Sequence, residues 1–391
     1  MSAVNGARGP GERVLIVALS GRALAQSARR AGLVPIVLDR FADLDTREAA
    51  ELALRIAPGR AGPLAAGPLL RAARGFAPPP IPLLVGGGLE GRLAVLETLA
   101  RGRELLGNPP AIVARAVDPF VLAALARALD VPFPETRPDL PTDRRDWLVK
   151  RKGAGGGWHV RPAERVAHPH PLDYAQRRVP GRPVSILLLC DGRRALALLA
   201  SAQWNTGDPP HFKGVLAPAP LPRRVEEKLA RAAVAVGTAL GLRGLASADF
   251  LLDEGAGFHL LEINPRPGGS LEAAEAALGV NLVAFHLAAC RGELPGKVPE
   301  PVVFAGTAIV RADRDLVVPE GFFWPEWVGD RTPSGERVRK GRPLATVRAT
   351  GDDPVEVRRL LELRERHLLA EMIATRTTSR ARVGVEGGRG A

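Results

Sequence analysis

The sequence predicts a mixed α/β protein assembled from α+β subdomains, and three observations carry that prediction. Residues 13–19, 23–31 and 34–39 run as a short apolar stretch, a helically spaced segment and a second apolar stretch, a β-α-β opening. Residues 248–252 and 258–263 are apolar runs flanking Glu254-Gly255-Ala256-Gly257, the mark of a β-hairpin. Residues 147–152 read as a strand that enters Gly153-Ala154-Gly155-Gly156-Gly157. A chain of 391 residues, 46% of them hydrophobic, can bury cores for two or three such domains.

Composition removes several function classes. No apolar run is long enough to span a bilayer, and MSAVNGARGPGER lacks the apolar core of a signal peptide, so the expected location is the cytoplasm, with no membrane partner. Cys190 and Cys290 both lie in apolar stretches, which points to buried free thiols rather than a disulfide framework or a cysteine zinc site. The net charge of +12 invites a nucleic-acid reading, but its arginines are scattered and a single tyrosine gives no base-stacking platform. A partner rich in phosphate or carboxylate groups fits the charge better.

Taken in order, the first turn, Ser20-Gly21-Arg22, lacks the glycine fingerprint of a dinucleotide fold, so NAD binding is not supported. Residues 59–82, rich in Gly, Pro and Ala, read as a loop, and 83–85 as a strand ending in Gly86-Gly87-Gly88-Leu89-Glu90. Glu90 reads as an acid at a helix start or in a substrate site. Residues 121–129 form an apolar helix that Val131-Pro132-Phe133-Pro134 stops. Lys150 and Lys152 share one strand face beside the glycine loop, in a chain with only six lysines. Glycines let backbone N–H groups turn to phosphate oxygens, and a lysine adds a mobile charge. The P-loop spacing is absent. His159, beyond the loop, reads as a phosphate contact or, more commonly, a surface histidine.

Residues 186–190 and 195–199 read as strands and 200–214 as a loop holding Trp204, His211 and Lys213, with Pro209-Pro210 stiffening the approach to the lysine. An amphipathic helix over 225–240 leads to the hairpin. If its four-residue loop is the whole turn, Asp253 pairs with Phe258 and Asp249 stands opposite Glu262, with Asn264 on the same face. Opposed carboxylates repel, so they need a cation, a shared proton or water. Glu262 and Asn264 offer hard oxygens suited to Mg²⁺ on a polyphosphate, and Arg266 adds a planar donor fork. Beyond it, Ser270 reads as the cap of a helix over 271–277 whose first turn holds Glu272, and 281–290 as a further helix. Short strands begin at 302–310 and include 333–347. A helix over 354–369 follows, and residues 376–391 read as a disordered basic tail.

The acid, the hairpin, Glu262-Ile263-Asn264-Pro265-Arg266 and the glycines after it resemble the centre of the ATP-grasp superfamily, which includes biotin carboxylase, carboxyaminoimidazole ribonucleotide synthase and many carboxylate-amine ligases. The resemblance implies an ATP-grasp fold: a flexible start (1–12), a Rossmann-like preATP-grasp domain (13–138), the nucleotide and metal core (139–300), a small β-rich subdomain (301–371) and a disordered basic tail (372–391). It implies ATP with Mg²⁺, or Mn²⁺ in its place, on Asp249, Glu262 and Asn264. Arg266 and Lys213 would act in catalysis, and Lys150, Lys152, Gly155, Gly156 and Gly157 on the nucleotide. Gln176 and the backbone of Arg178 and Val179 would form the adenine hinge, with Gln176 where the family often has an acid. Asp118-Pro119 stands where many members have a phosphate-binding lysine.

The activity so implied is transfer of a phosphoryl group to a carboxylate, then amide formation with an amine and release of ADP and phosphate. Bicarbonate activation of the biotin carboxylase type, or an ATP-binding protein without turnover, are the alternatives. The partners implied are a small carboxylate and an amine, and a homodimer is allowed. Asp43 to Arg47, with 176–185 and 260–269, also resembles a carboligase-like group tied to tetrahydromethanopterin- or methanofuran-type one-carbon cofactor pathways.

Overall fold

A computed structural model describes residues 11–59, 62–207 and 210–386, with side chains described through residue 374. Residues 1–10 of the expected flexible start, the last five of the tail and Pro209 lie outside the described residues. Three sheets organise the chain. The opening β-α-β grows into a parallel sheet in the order Leu52–Arg55, Leu33–Asp39, Glu12–Val17, Leu83–Val85, Leu105–Leu106. Its central strand is apolar on both faces because helices cover both, as a parallel sheet requires. The strand order reverses between Glu12–Val17 and Leu83–Val85, so the turns after these strands face the crevice where such sheets bind ligands.

A four-stranded antiparallel unit, Thr136–Arg137, Asp173–Arg177, Trp147–Arg151 and Arg161–Pro162, has its own small core around Trp147 and Val149. The third sheet has eight strands. It runs from the hairpin strands Phe258–Asn264 and Arg243–Leu252 through Arg182–Asp191, Ala195–Thr206 and His211–Ala217 to Phe304–Arg311, Pro343–Gly351 and Val328–Gly329. The C-terminal strands therefore extend the core sheet edge to edge. Helices Arg223–Leu240, Leu271–Leu278 and Leu282–Cys290 pack on it, the first capped by Gly241 in the left-handed region.

Several expectations need correction. Residues 66–76 of the expected loop form a helix, because Leu69, Leu70 and Ala73 give it one apolar face despite Gly67 and Pro68. The expected loop 200–214 is largely strand, with a single β-bulge at Lys213, opposite Trp204 and Asn205, absorbing the irregularity in its ladder. The last helix is Pro354–Glu386, running into the expected tail, where Met372 buries itself against the C-terminal strands. Ser270 makes no cap hydrogen bond. No single helix among the described residues is long and apolar enough to cross a membrane, and the one bent pair that passes by composition is packed in the core. Cys190 is buried and Cys290 half-buried, and both are free thiols that burial pushes up to about 12.

Candidate functional site

Asp249 pairs directly with Glu262 across the hairpin, on one face of the ladder. The register arrives there by a different count from the simple one. Leu252, not Asp253, pairs with Phe258, and Leu261 is an extra residue that shifts the register by one before the acids. Asp253 instead closes the turn, its side chain accepting from the Gly257 N–H at 2.8 Å. Ser185 Oγ on the neighbouring strand donates to Asp249 Oδ1 at 2.5 Å. The Asn264 amide donates to Asp249 Oδ2 at 3.0 Å and leans on Glu262 Oε1 at 3.4 Å, while its own oxygen accepts from Arg266 at 2.9 Å. Burial, then the charge of Glu262, pushes the Asp249 carboxyl up to about 7 against those hydrogen bonds.

Arg266 also donates to Glu90 Oε1 at 2.7 Å, and Glu90 accepts from the Gly88 N–H at 2.6 Å. Burial would raise the Glu90 carboxyl, but Arg266 and that N–H outweigh it and hold it below its ordinary value. The loop after Leu83–Val85 is thus tied to the hairpin by an ion pair. A cleft between the four-stranded unit and the hairpin is lined by Glu262, Asn264, Glu90, His159, Tyr174 and the start of the glycine loop. Lys150 is buried beside it. Burial lowers its pKa, Glu262 is the charge that opposes the loss of its proton, and it has no hydrogen-bond partner among the described residues. The glycine loop is held by two close backbone contacts that exclude any side chain, the first of them at the cleft. A Cβ on Gly153, at φ +68°, would stand 2.4 Å from Gly91 Cα, and one on Gly157, at φ +81°, would stand 1.8 Å from the Pro210 carbonyl oxygen.

Residues 120–270 match the family model of the ATP-grasp domain. The chain carries an ATP-grasp domain. Its fold is shared by the Rhizobium etli pyruvate carboxylase T882A variant with acetyl coenzyme A (TM-score 0.72, 17% identity), of which it spans 36% while matching over 89% of its own length. The biotin carboxylase domain of Hydrogenobacter thermophilus 2-oxoglutarate carboxylase, solved with MgADP, ADP and bicarbonate, gives a TM-score of 0.71 at 14% identity over 88% of each chain. The ADP complex of the N5-carboxyaminoimidazole ribonucleotide synthetase purK gives 0.66 at 12% identity, over 94% of this chain and 99% of that one. No curated protein matches the chain.

Within the ATP-grasp fold, Asp249, Glu262, Asn264, Arg266, Lys150 and the glycine loop come together. Asp249 and Glu262 fit a divalent cation, since they stand opposite each other, present hard oxygens, and the Glu262 charge raises the Asp249 carboxyl. Asn264 as oriented is not a third ligand: its NH₂ faces both acids, and its oxygen is taken by Arg266. Lys152 is spent on Asp118 at 3.0 Å and lies over the Phe120 ring, so it stands at the helix start where the family's lysine is missing. Lys213 turns to the last helix, pairing with Glu365 and donating to the Ile309 carbonyl, and does not line the cleft. Gln176 is buried against Thr136 Oγ1 at 3.2 Å, and the Arg178 N–H donates to the Asp146 carbonyl at 2.6 Å. Of the expected hinge donors only the Val179 N–H keeps no backbone partner among the described residues. Gly155 is exposed, and Gly156 packs near Trp158.

Three residues of this site escaped the reading of the sequence or were undervalued by it. Glu90 is a partner of Arg266 rather than a surface acid. His159 lines the cleft and is held neutral chiefly by burial, its Nδ1 without a partner. Ser185 was visible as the one hydroxyl in VSILLLC, a polar residue in a strand otherwise apolar on both faces. The Asp43 to Arg47 stretch forms a joint: Asp43, Asp45 and Thr46 are buried, and Asp45 accepts from the Asp330 and Arg331 N–H groups of the C-terminal region.

Proposed function

We propose that the chain is an ATP-dependent ligase that activates a substrate carboxylate and passes the acyl group to an amine. The observation that carries this is a cleft lined by Glu262, Asn264, Glu90 and the start of the glycine loop, with Asp249 paired to Glu262 and Lys150 within reach of the Glu262 charge. In the first step a carboxylate oxygen bonds to the γ-phosphorus as the bond to the ADP oxygen breaks. In the second, the amine nitrogen bonds to the acyl carbon, inorganic phosphate leaves and the amine loses a proton. Asp249 and Glu262 would hold Mg²⁺ or Mn²⁺, which supplies charge neutralisation for phosphoryl transfer. Lys150 neutralises phosphate oxygens, Arg266 orients the acyl group with Glu90 fixing its fork, and the glycine loop keeps water from the acylphosphate. No side-chain nucleophile takes part.

The test is direct. Purified chain should bind Mg-ATP, and ADP release should rise with the correct acid and amine in a panel of amino acids, pterins and furan or tyramine amines. The panel includes the narrowest form of the reading, an amine of the tetrahydromethanopterin or methanofuran type, which rests only on the resemblance of residues 43–47, 176–185 and 260–269. Lys150→Met and Glu262→Gln should abolish nucleotide-dependent turnover. A chain that binds no Mg-ATP would end the proposal. A second reading, bicarbonate as the activated acid, draws on the likeness to a 2-oxoglutarate carboxylase domain that holds MgADP and bicarbonate. Bicarbonate-dependent ADP release without any amine would select it.

A further inference from the structure

Beside the glycine loop stands a group of arginines whose charge no acid among the described residues balances. Arg40 follows the strand Leu33–Asp39, Arg311 ends Phe304–Arg311, and Arg342 lies in the turn before Pro343–Gly351. The Arg311 fork reaches only two carbonyls, Gly341 at 3.3 Å and Phe212 at 3.4 Å, and its Nε is buried without a partner. The side chains of Arg40 and Arg342 make no hydrogen bond or ion pair among the described residues. Other arginines of this region are matched, Arg55 by Glu336, Arg314 by Asp313 and Arg337 by Asp315. Among the described residues the charges that act here are of one sign: Arg55 and Arg342 on Arg40, Arg342 on Arg311, and Arg311 on His211.

Trp158 joins this group to the glycine loop. It follows Gly157, stacks on His211 with ring centroids 3.9 Å apart, and lies under Arg311 at 5.5 Å and Arg342 at 6.0 Å, with 49% of its surface exposed. Two chains of contact lead on, one to Arg266 and one to Gly269 in the loop after it. The Arg40 N–H donates to the Leu19 carbonyl, the Leu19 N–H to the Gly87 carbonyl, and Gly87 abuts the Arg266 guanidinium. Phe212, whose carbonyl Arg311 holds, packs beside Gly269. The group therefore borders the acyl side of the site, at the carboxyl ends of the parallel strands.

Guanidinium groups gathered without acids are repulsive until an anion joins them, and their planar forks suit phosphate or carboxylate oxygens. We propose that Arg40, Arg311 and Arg342 bind an anionic arm of the substrate, so that the substrate carries a phosphate or at least two carboxylates beyond its reacting group, and that Trp158 ties its arrival to the glycine loop. The word substrate rests on the ligase reading; the anion site does not. A bicarbonate ion or a simple amino acid supplies no such arm.

Titration of the full chain, without nucleotide, with inorganic phosphate, citrate and acetate at constant ionic strength tests this by calorimetry and tryptophan fluorescence. Phosphate or citrate should saturate and acetate should not, and the better of the two identifies the arm as phosphate or polycarboxylate. Arg40→Gln and Arg342→Gln should each weaken the favoured anion about tenfold. Trp158→Phe should remove the fluorescence change and keep the calorimetric signal. Lys150→Met should lose Mg-ATP and keep the anion, which separates this site from the nucleotide phosphates. Equal titrations in the native chain and the Arg40→Gln/Arg342→Gln double variant, or acetate matching citrate, would overturn the proposal. Saturable, arginine-dependent citrate or phosphate binding in a chain that fails to bind Mg-ATP would sustain this site and end the ligase reading.

Discussion

Asn264 shows how one amide can hold two acids together at some expense. Its NH₂ reaches both Asp249 and Glu262, where a full positive charge would serve better, and the Asp249 carboxyl stays raised to about 7 despite it. The pair is therefore a source of instability kept for its use. Replacing Asp249 by Asn removes the repulsion and keeps an oxygen for Ser185 to donate to, while the new NH₂ takes the place of the oxygen that accepted from Asn264 and offsets part of the gain. Asp249→Asn should stabilise the ligand-free chain by on the order of 1 kcal/mol at pH 8 and weaken Mg-ATP by tenfold or more. Melting with and without Mg-ATP checks both, and a variant that is both less stable and equally tight would refute the account. The opposed acids were legible because strand side chains alternate with period two. The bulge at Leu261 was not, since its neighbours are as apolar as it is. Lys213 was misread because its partner, Glu365, is 152 residues away in sequence.

At the scale of elements, His286 decides where the hairpin strand sits. It is fully buried on the helix Leu282–Cys290, its Nδ1 accepts from the Leu245 N–H at 2.8 Å, and its Nε2–H donates to the Leu106 carbonyl at 3.1 Å. One imidazole thus bridges the strand that carries Asp249 and the edge of the parallel sheet. Burial lowers its pKa to about 4, so it does this as a neutral ring at neutral pH. His286→Ala should cost about 2–4 kcal/mol, from an orphaned N–H and a cavity, measured by denaturant unfolding. A loss under half a kcal/mol would show that the bridge carries no load. Helices such as Arg223–Leu240 were readable from their apolar spacing, and the strand pairings from hairpin loops. What no local pattern contained was the joining of strands near residue 310 to the sheet that holds the acids, because that pairing spans about ninety residues of chain.

For the whole molecule, the critical joint is Arg22. It is buried where the first turn of the parallel sheet meets the helix Leu271–Leu278 and the C-terminal strands, forking onto Glu272 at 2.5 and 2.6 Å and onto Asp330 at 3.1 and 3.2 Å. Asp330 also accepts from Thr346 and Ser20, and its N–H donates to Asp45. More acids than bases converge here, and Asp43 is the one left over. Its carboxyl makes no cap hydrogen bond, and burial, then Asp330, Asp39 and Asp45, push it up to about 9 against the attraction of Arg22. An unfolded Asp ionises near 4, so between these values the folded chain holds a proton that the unfolded chain has released. This group therefore weighs against folding increasingly as pH rises from about 4 towards 9, the reverse of a salt-bridged aspartate. Asp43→Asn fixes the neutral form without changing shape. Its melting temperature should run close to that of the native chain near pH 5 and exceed it by a margin that widens through pH 9. A constant offset across that range would mean that Asp43 is ionised in the fold, and that the joint between the three sheets is balanced by some other proton.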